Sequence, residues 1–183
     1  MAKLVSKTYG DALFEVALEE NKVDTLFEEA YAVREILAVS KELNQLMDQP
    51  KITKEDKIKI MEETFGERVS GEITGLIKLL ITKGHYQDTV DVLDYFIGLV
   101  KEEKKIGIAY VSSAITLSGA RKKEIEKKLL DTTSYESFEV HYEVDESLIG
   151  GMVIRIGDRV VDSSIKSKLY ELTKELKKIQ VGV

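Results

Sequence analysis

The chain has 183 residues, 43% hydrophobic and 33% charged, with 27 Lys and Arg against 33 Asp and Glu, a net charge of −6. That balance belongs to a folded chain of one ordinary domain or two small ones, and it argues against nucleic acid, whose phosphates call for clustered Lys and Arg. Zero cysteines exclude disulfides, thiolate metal sites and thiolate nucleophiles.

The first residues, Met1-Ala2-Lys3-Leu4-Val5-Ser6-Lys7, lack the apolar run of a secretory signal. No stretch approaches the ~18 consecutive apolar residues of a membrane span, so any membrane association is expected to run through another protein.

The first 105 residues read as six helices. Val5, Tyr9, Ala12, Leu13, Val16 and Ala17 recur at helical spacing, and a second run carries Val23, Leu26, Phe27, Ala30, Val33 and Leu37. A short third helix holds Leu43, Leu46 and Met47. Pro50 closes it, because the residue before proline is pushed out of helical geometry. Thr53 with Asp56 resembles a capping box that opens a fourth helix through Ile58, Met61 and Phe65. Ser70 starts a fifth through Ile73, Ile77, Leu80 and Ile81, with Gly84 at its end. The sixth carries Val90, Leu93, Phe96, Ile97 and Val100, and its tail, Lys101-Glu102-Glu103-Lys104-Lys105, reads as a solvated face of mixed charge.

After Ile106 the period changes to two. Ile106, Ile108, Tyr110, Ser112 and Ala114 alternate as a strand, and Ser118 caps a helix containing Ile125, Leu129 and Leu130. Phe138, Val140, Tyr142 and Val144 alternate with Glu139, His141 and Glu143 as a half-buried strand. Gly157-Asp158 is a two-residue hairpin turn with Gly at a φ > 0 position, which sets Ile156 opposite Arg159 and Ile154 opposite Val161. Gly150-Gly151 is expected to relieve a tight bend or bulge before the hairpin, and Asp162 or Ser163 to cap a last helix. The expected fold is mainly α with a smaller α/β (α+β) domain. A six-helix bundle over 1–105 is followed by a small sheet with two helices over 106–183.

No chemistry stands out. Gly150, Gly151 and Gly157 lack the G-x-G-x-x-G spacing of a dinucleotide loop. Gly66 and Gly71 have the spacing of P-loop glycines, but Glu72 and Ile73 stand where Lys and Ser or Thr are required. His85 and His141 lie far apart and outside any metal-ligand pattern, and no G-x-S-x-G elbow exists. No catalytic residue, metal set or cofactor loop is assigned, so the chain is expected not to be an enzyme.

Apolar surface without an obvious use remains. Phe14 and Leu18 lie four apart on a face of the first helix away from its main stripe. They either complete a surrounded helix or line a partner groove. In the fifth helix Gly71, Gly75 and Leu79 are spaced by four, at about 1 kcal/mol per mid-helix glycine relative to alanine. Close internal packing and close approach of a partner helix both account for them. The last helix spaces Ile165, Leu169, Leu172, Leu176 and Ile179 by 4-3-4-3, a seam of about two heptads. Packing against the adjacent sheet explains most of it, while Lys166, Lys174, Lys177 and Lys178 beside it suit an acidic helical partner.

Three segments, "SKTYGDALFEVA", "AYVSSAITLS" and above all "LIGGMVIRIGDRVVDSSIKSKLYEL", resemble the delta subunit of bacterial F-type ATP synthases, the family of the mitochondrial oligomycin-sensitivity-conferring protein. The resemblance covers nearly the whole chain. Thr8 and Gly10 depart from it, flanking Tyr9 where the family commonly has Arg and Ala, and Thr116 stands where proline often precedes Leu-Ser.

The resemblance implies a non-catalytic stator component, peripheral on the cytoplasmic face of the cell membrane. Its helical domain is implied to grip the N-termini of the alpha subunits between the first and fifth helices, through Tyr9, Phe14, Leu18, Gly71, Gly75 and Leu79. Its C-terminal domain is implied to join the b subunits of the peripheral stalk, with Ile165, Leu169, Leu172 and Leu176 as the contact seam. A regulatory module that binds a small molecule through the α/β half is the alternative reading.

Overall fold

Helix α1 runs over Ala2–Glu19, α2 over Val23–Val39, α3 over Lys41–Asp48, α4 over Lys54–Phe65, α5 over Gly71–Lys83 and α6 over Thr89–Glu103. The structure, a computed structural model, describes residues 2–180. The local signals read from the sequence account for several helix ends. At α4, Thr53 Oγ1 accepts from Asp56 N–H at 3.2 Å and donates to Asp56 Oδ2 at 2.8 Å. At the end of α5, Gly84 sits at φ 78, its N–H bonds to Ile81 O, and His85 N–H bonds to Leu80 O at 2.8 Å. Those two bonds are a Schellman motif, which needs a residue without a Cβ penalty at positive φ.

Ser70 acts differently from a simple cap. Its N–H and its hydroxyl both donate to Glu29 Oε2, at 2.9 and 2.5 Å, which anchors the start of α5 to α2.

The core of this unit lies around α6, whose Val92, Leu93, Phe96 and Val100 are fully buried against α1 and α2. Each such side chain contributes about 1.5–3 kcal/mol relative to exposure. The buried line of α1 is Ser6, Gly10, Leu13 and Ala17. Val5, Tyr9 and Val16 are half-buried and Ala12 is exposed, which corrects the apolar face expected for this helix. The reason is close approach. A Cβ on Gly10 would stand 2.5 Å from Tyr95 Cδ1, so at Gly10 α1 comes too close to α6 for a side chain.

The chain divides between Glu103 and Lys104 into two compact units. In the second, β1 (Ile106–Ser113), α7 (Gly119–Thr132), β2 (Ser137–Val144), β3 (Met152–Ile156), β4 (Arg159–Asp162) and α8 (Ile165–Gln180) follow in order. The sheet order is β2-β1-β3-β4. Strands β1 and β2 are parallel across the α7 connection, and β3 and β4 are antiparallel neighbours. The hairpin has the expected register, Ile156 opposite Arg159 and Ile154 opposite Val161, with Gly157 at φ 54.

Strand β1 buries Gly107, Ala109, Val111 and Ser113 on the α7 face, while Tyr110 on the other face is exposed. Small residues are needed there because a Cβ on Gly107 would run into the ring of Phe138 on the neighbouring strand.

The glycine pair before β3 serves the same kind of fit. Gly151 has φ 77 and a Cβ there would strike the Ser163 carbonyl; a Cβ on Gly150 would stand 2.5 Å from Ile165 Cδ1. Ile165 N–H bonds to Gly150 O, and both the N–H and the hydroxyl of Ser163 donate to Met152 O, each at 2.9 Å. The two ends of the hairpin are thereby sewn together, and the start of α8 is held against the glycines. The cap itself is Ser164, fully buried, whose Oγ accepts from Ser167 N–H at 3.2 Å. Asp162 supports it, taking Ser164 N–H at 2.8 Å and the Ser167 hydroxyl at 2.5 Å.

Candidate partner-binding surfaces

On the helical unit, the six residues singled out in α1 and α5 divide into two groups. Leu18 and Leu79 are 44% and 42% exposed. Gly71 and Gly75 are exposed too, and a Cβ added at either would meet nothing within 4 Å. Gly71 and Gly75 therefore do not serve close packing inside this unit. Tyr9 and Phe14 are half-buried and packed against the core, and the Phe14 ring meets Phe96 edge-on at 6.5 Å between centroids. Phe14 thus belongs partly to the bundle itself.

Helix α1 lies mainly on α6 and touches α5 sparsely. What ties its end to α5 is charge. Lys22 Nζ stands 2.6 Å from both Glu20 Oε2 and Glu72 Oε1. Hydrogen bonding to Glu20 and Glu72 pushes the Lys22 ammonium up, and the Lys22 hydrogen bond holds Glu72 down at about 2. The C-terminal end of α1, with Leu18, is so held beside the start of α5, with Gly71 and Gly75.

On the second unit, α8 does not bury its seam. Ile165, Leu169, Leu172 and Leu176 are 44%, 50%, 55% and 65% exposed, and Tyr170 beside them is more exposed still. The expectation that sheet packing explains most of this seam is corrected for its described residues: the core of the unit is built from α7 and the strands, and no described α8 side chain joins it. The side chains of Lys177, Lys178 and Ile179 lie outside the described residues.

Further apolar surface is not visible in the sequence. Tyr31, Ile36 and Val39 of α2 are exposed, and an open apolar groove runs between α7 and the β3–β4 hairpin. Helix periodicity alone hides the first, because α2 also carries a complete buried stripe. The second exists only once the sheet is assembled.

Among the described residues no group of three or more His, Cys, Asp or Glu is placed to hold a metal ion, and no helix is long and apolar enough to cross a membrane. Gly150 and Gly151 are taken up by contacts with Ile165 and Ser163, and Gly157 turns the β3–β4 hairpin.

Residues 5–176 match the family model for the ATP synthase delta (OSCP) subunit. The chain belongs to this family. It is 51% identical over 182 residues to ATP synthase subunit delta of Lachnoclostridium phytofermentans, with all of both chains covered. It is 33% identical over 178 residues to the same subunit of Desulforudis audaxviator, covering 97% of each. Its fold is also that of a chain in the cryo-EM structure of the Toxoplasma gondii mitochondrial ATP synthase hexamer, with TM-score 0.74, 18% identity, and coverage of 93% of this chain and 96% of that one. Delta subunits are non-catalytic stator components of F-type ATP synthases, which agrees with a molecule whose most distinctive surfaces are uncovered apolar faces.

Proposed function

We propose that the chain braces the catalytic head of an F-type ATP synthase against its peripheral stalk. Its helical unit grips the N-terminal helices of the alpha subunits, and its C-terminal unit joins the b subunits. In that role it sits peripherally on the cytoplasmic face of the membrane, through its partners alone. Rotation of a central shaft exerts torque on the head, and a brace has to hold two partners at once. The requirement is tight binding, supplied by apolar anchors of a helix laid in a groove, and strengthened by the effective concentration that comes from being tied at both ends.

The observation that carries this reading is the open line of Gly71, Gly75 and Leu79 on α5. Gly75, a helix-interior position without a side chain, costs about 1 kcal/mol relative to alanine, Gly71 opens the helix, and nothing described in this unit fills the space above either. A second helix lying along α5 recovers that cost through close contact. The test is titration calorimetry of the full chain with a peptide of the alpha-subunit N-terminus. Binding that Gly75→Trp abolishes supports the reading; no binding to the folded chain refutes the groove.

A further inference from the structure

The sheet of the C-terminal unit has one helix, α7, packed on one face. A helix is about 10 Å across and strands lie about 4.8 Å apart, so one helix covers about half of a four-stranded sheet. Helix α7 engages β2, where Tyr142 Oη donates to Glu126 Oε1 at 3.2 Å and Lys122 Nζ stands 4.6 Å from the Tyr142 ring centre. The β3–β4 half of the same face is left as a groove of about 400 Å³. Its floor is Met152, Ile154, Ile156 and Val161, and its wall is Ile125 and Leu129.

The rim is basic. Arg121 and Lys128 of α7 both bind the single acid there, Glu124, at 2.6 and 3.2 Å. Arg159 pairs with Ile156 in the hairpin and therefore rises from the same face of the sheet. Three cations face one carboxylate. Helix α8 follows the sheet after β4, yet none of its described side chains lines the groove. It is basic as well, with five Lys against two Glu over 165–180, so it would bring like charge to this rim.

We propose that this groove is a docking site separate from the α8 seam, and that it takes an amphipathic helix of another chain with aliphatic residues on one face and acids on its flanks. The proposal rests on the reading that this unit meets the stalk, and it moves part of that contact from α8 to the α7–β3–β4 groove. Charge selects the occupant. The rim carries three cations against the one carboxylate of Glu124, and rim charges govern encounter rate and partner choice more than they add raw affinity.

The test uses the full chain and the soluble part of the stalk b subunit as probe, with self-association followed by sedimentation. Three variants are compared with wild type: Arg121→Glu/Lys128→Glu on the rim, Val161→Asp on the floor at an exposed edge position, and Leu172→Asp on the α8 seam. The rim variant is expected to bind about 10-fold more weakly at low salt, with most of the difference gone near 0.5 M salt, because exposed charges are screened there. Val161→Asp is expected to weaken binding at least as much at both salt levels, with an unchanged unfolding midpoint. Should Val161→Asp fail to fold, the rim variant and its salt dependence decide alone.

If Leu172→Asp abolishes binding while both groove variants stay within about twofold of wild type, the groove is wrong and the stalk reading stands. If wild type does not bind the probe, both fall together. A concentration-dependent dimer of the chain that the groove variants abolish would assign the groove to a second copy and overturn the proposal.

Discussion

Lys22 Nζ stands 2.6 Å from Glu72 Oε1, joining the turn after α1 to the first turn of α5, the two helices that carry Leu18, Gly71 and Gly75 uncovered. The Glu72 carboxyl is held at about 2 instead of 4.5, first by the Lys22 hydrogen bond. Its folded-state affinity for a proton is depressed, so its contribution is present above pH ~4.5 and is lost as pH falls toward 2. Glu72→Gln is therefore expected to melt below wild type at neutral pH, by the ~0–1 kcal/mol of a surface ion pair, with the two curves converging on acidification. A constant gap in melting temperature from pH 7 to pH 3 contradicts the assignment.

Gly10 is a close-contact glycine, and Gly75 is an open one. Gly10→Val places its Cβ in the space of the Tyr95 ring, which is itself held by a 3.1 Å hydrogen bond from Tyr95 Oη to Asp11. Overpacking of this kind costs about 1–3 kcal/mol. Urea unfolding is expected to show that loss, and a Tyr95→Ala background to return much of it.

Phe14 and Leu18 separate stability from binding. Phe14 packs edge-on against Phe96, so Phe14→Asp is expected to destabilise the bundle by about 3 kcal/mol or more as well as to disturb any partner contact. Leu18→Asp and Leu79→Asp, at exposed positions, are expected to change stability by less than about 0.5 kcal/mol. Loss of alpha-peptide binding in those two variants, with unchanged unfolding, is the informative result.

Ser164 starts α8 through its bond to Ser167 N–H, with Asp162 held below the usual carboxylate range first by the Ser167 hydroxyl and then by Ser164. Ser164→Ala is expected to cost about 1 kcal/mol. Because no described α8 side chain joins the core of the sheet, the loss should appear as faster hydrogen exchange in the first turns of α8, with strand amides unchanged. Uniform acceleration across the sheet would show instead that α8 and the sheet unfold together.

The α8 seam invites a complementary measurement. Leu176→Gln is expected to leave the melting temperature within about 1 °C of wild type, since its side chain is 65% exposed. A drop of several degrees would mean that the seam packs within the free chain.

How much was legible in the sequence depended on the range of the interaction. The six N-terminal helices, the Thr53 cap, the Gly84 stop and the Gly157-Asp158 hairpin were readable because each is dictated by backbone chemistry within about five residues. The change of period near residue 105 and the alternation of Phe138, Val140 and Tyr142 were readable for the same reason. The family motif was legible as a pattern before its physical role was: Gly150 and Gly151 are required by Ser163 and Ile165, a dozen or more residues away.

What only the tertiary structure decided is which apolar face is used. Helix α1 buries Ser6, Gly10, Leu13 and Ala17, with Gly10 set against Tyr95 of α6 where a larger residue has no room, although a wheel ranks Val5, Tyr9 and Val16 first. Strand β1 buries its small-residue face because the Phe138 ring occupies the space a side chain on Gly107 would need. The seam of α8 reads as a packed stripe in one dimension and is exposed in three, and the β3–β4 groove has no counterpart in any local pattern. Periodicity states that a face is apolar. Whether that face is covered depends on which elements the fold brings to it, and the glycine line of α5, Leu169, Leu172 and Leu176 of α8 and the groove are left open.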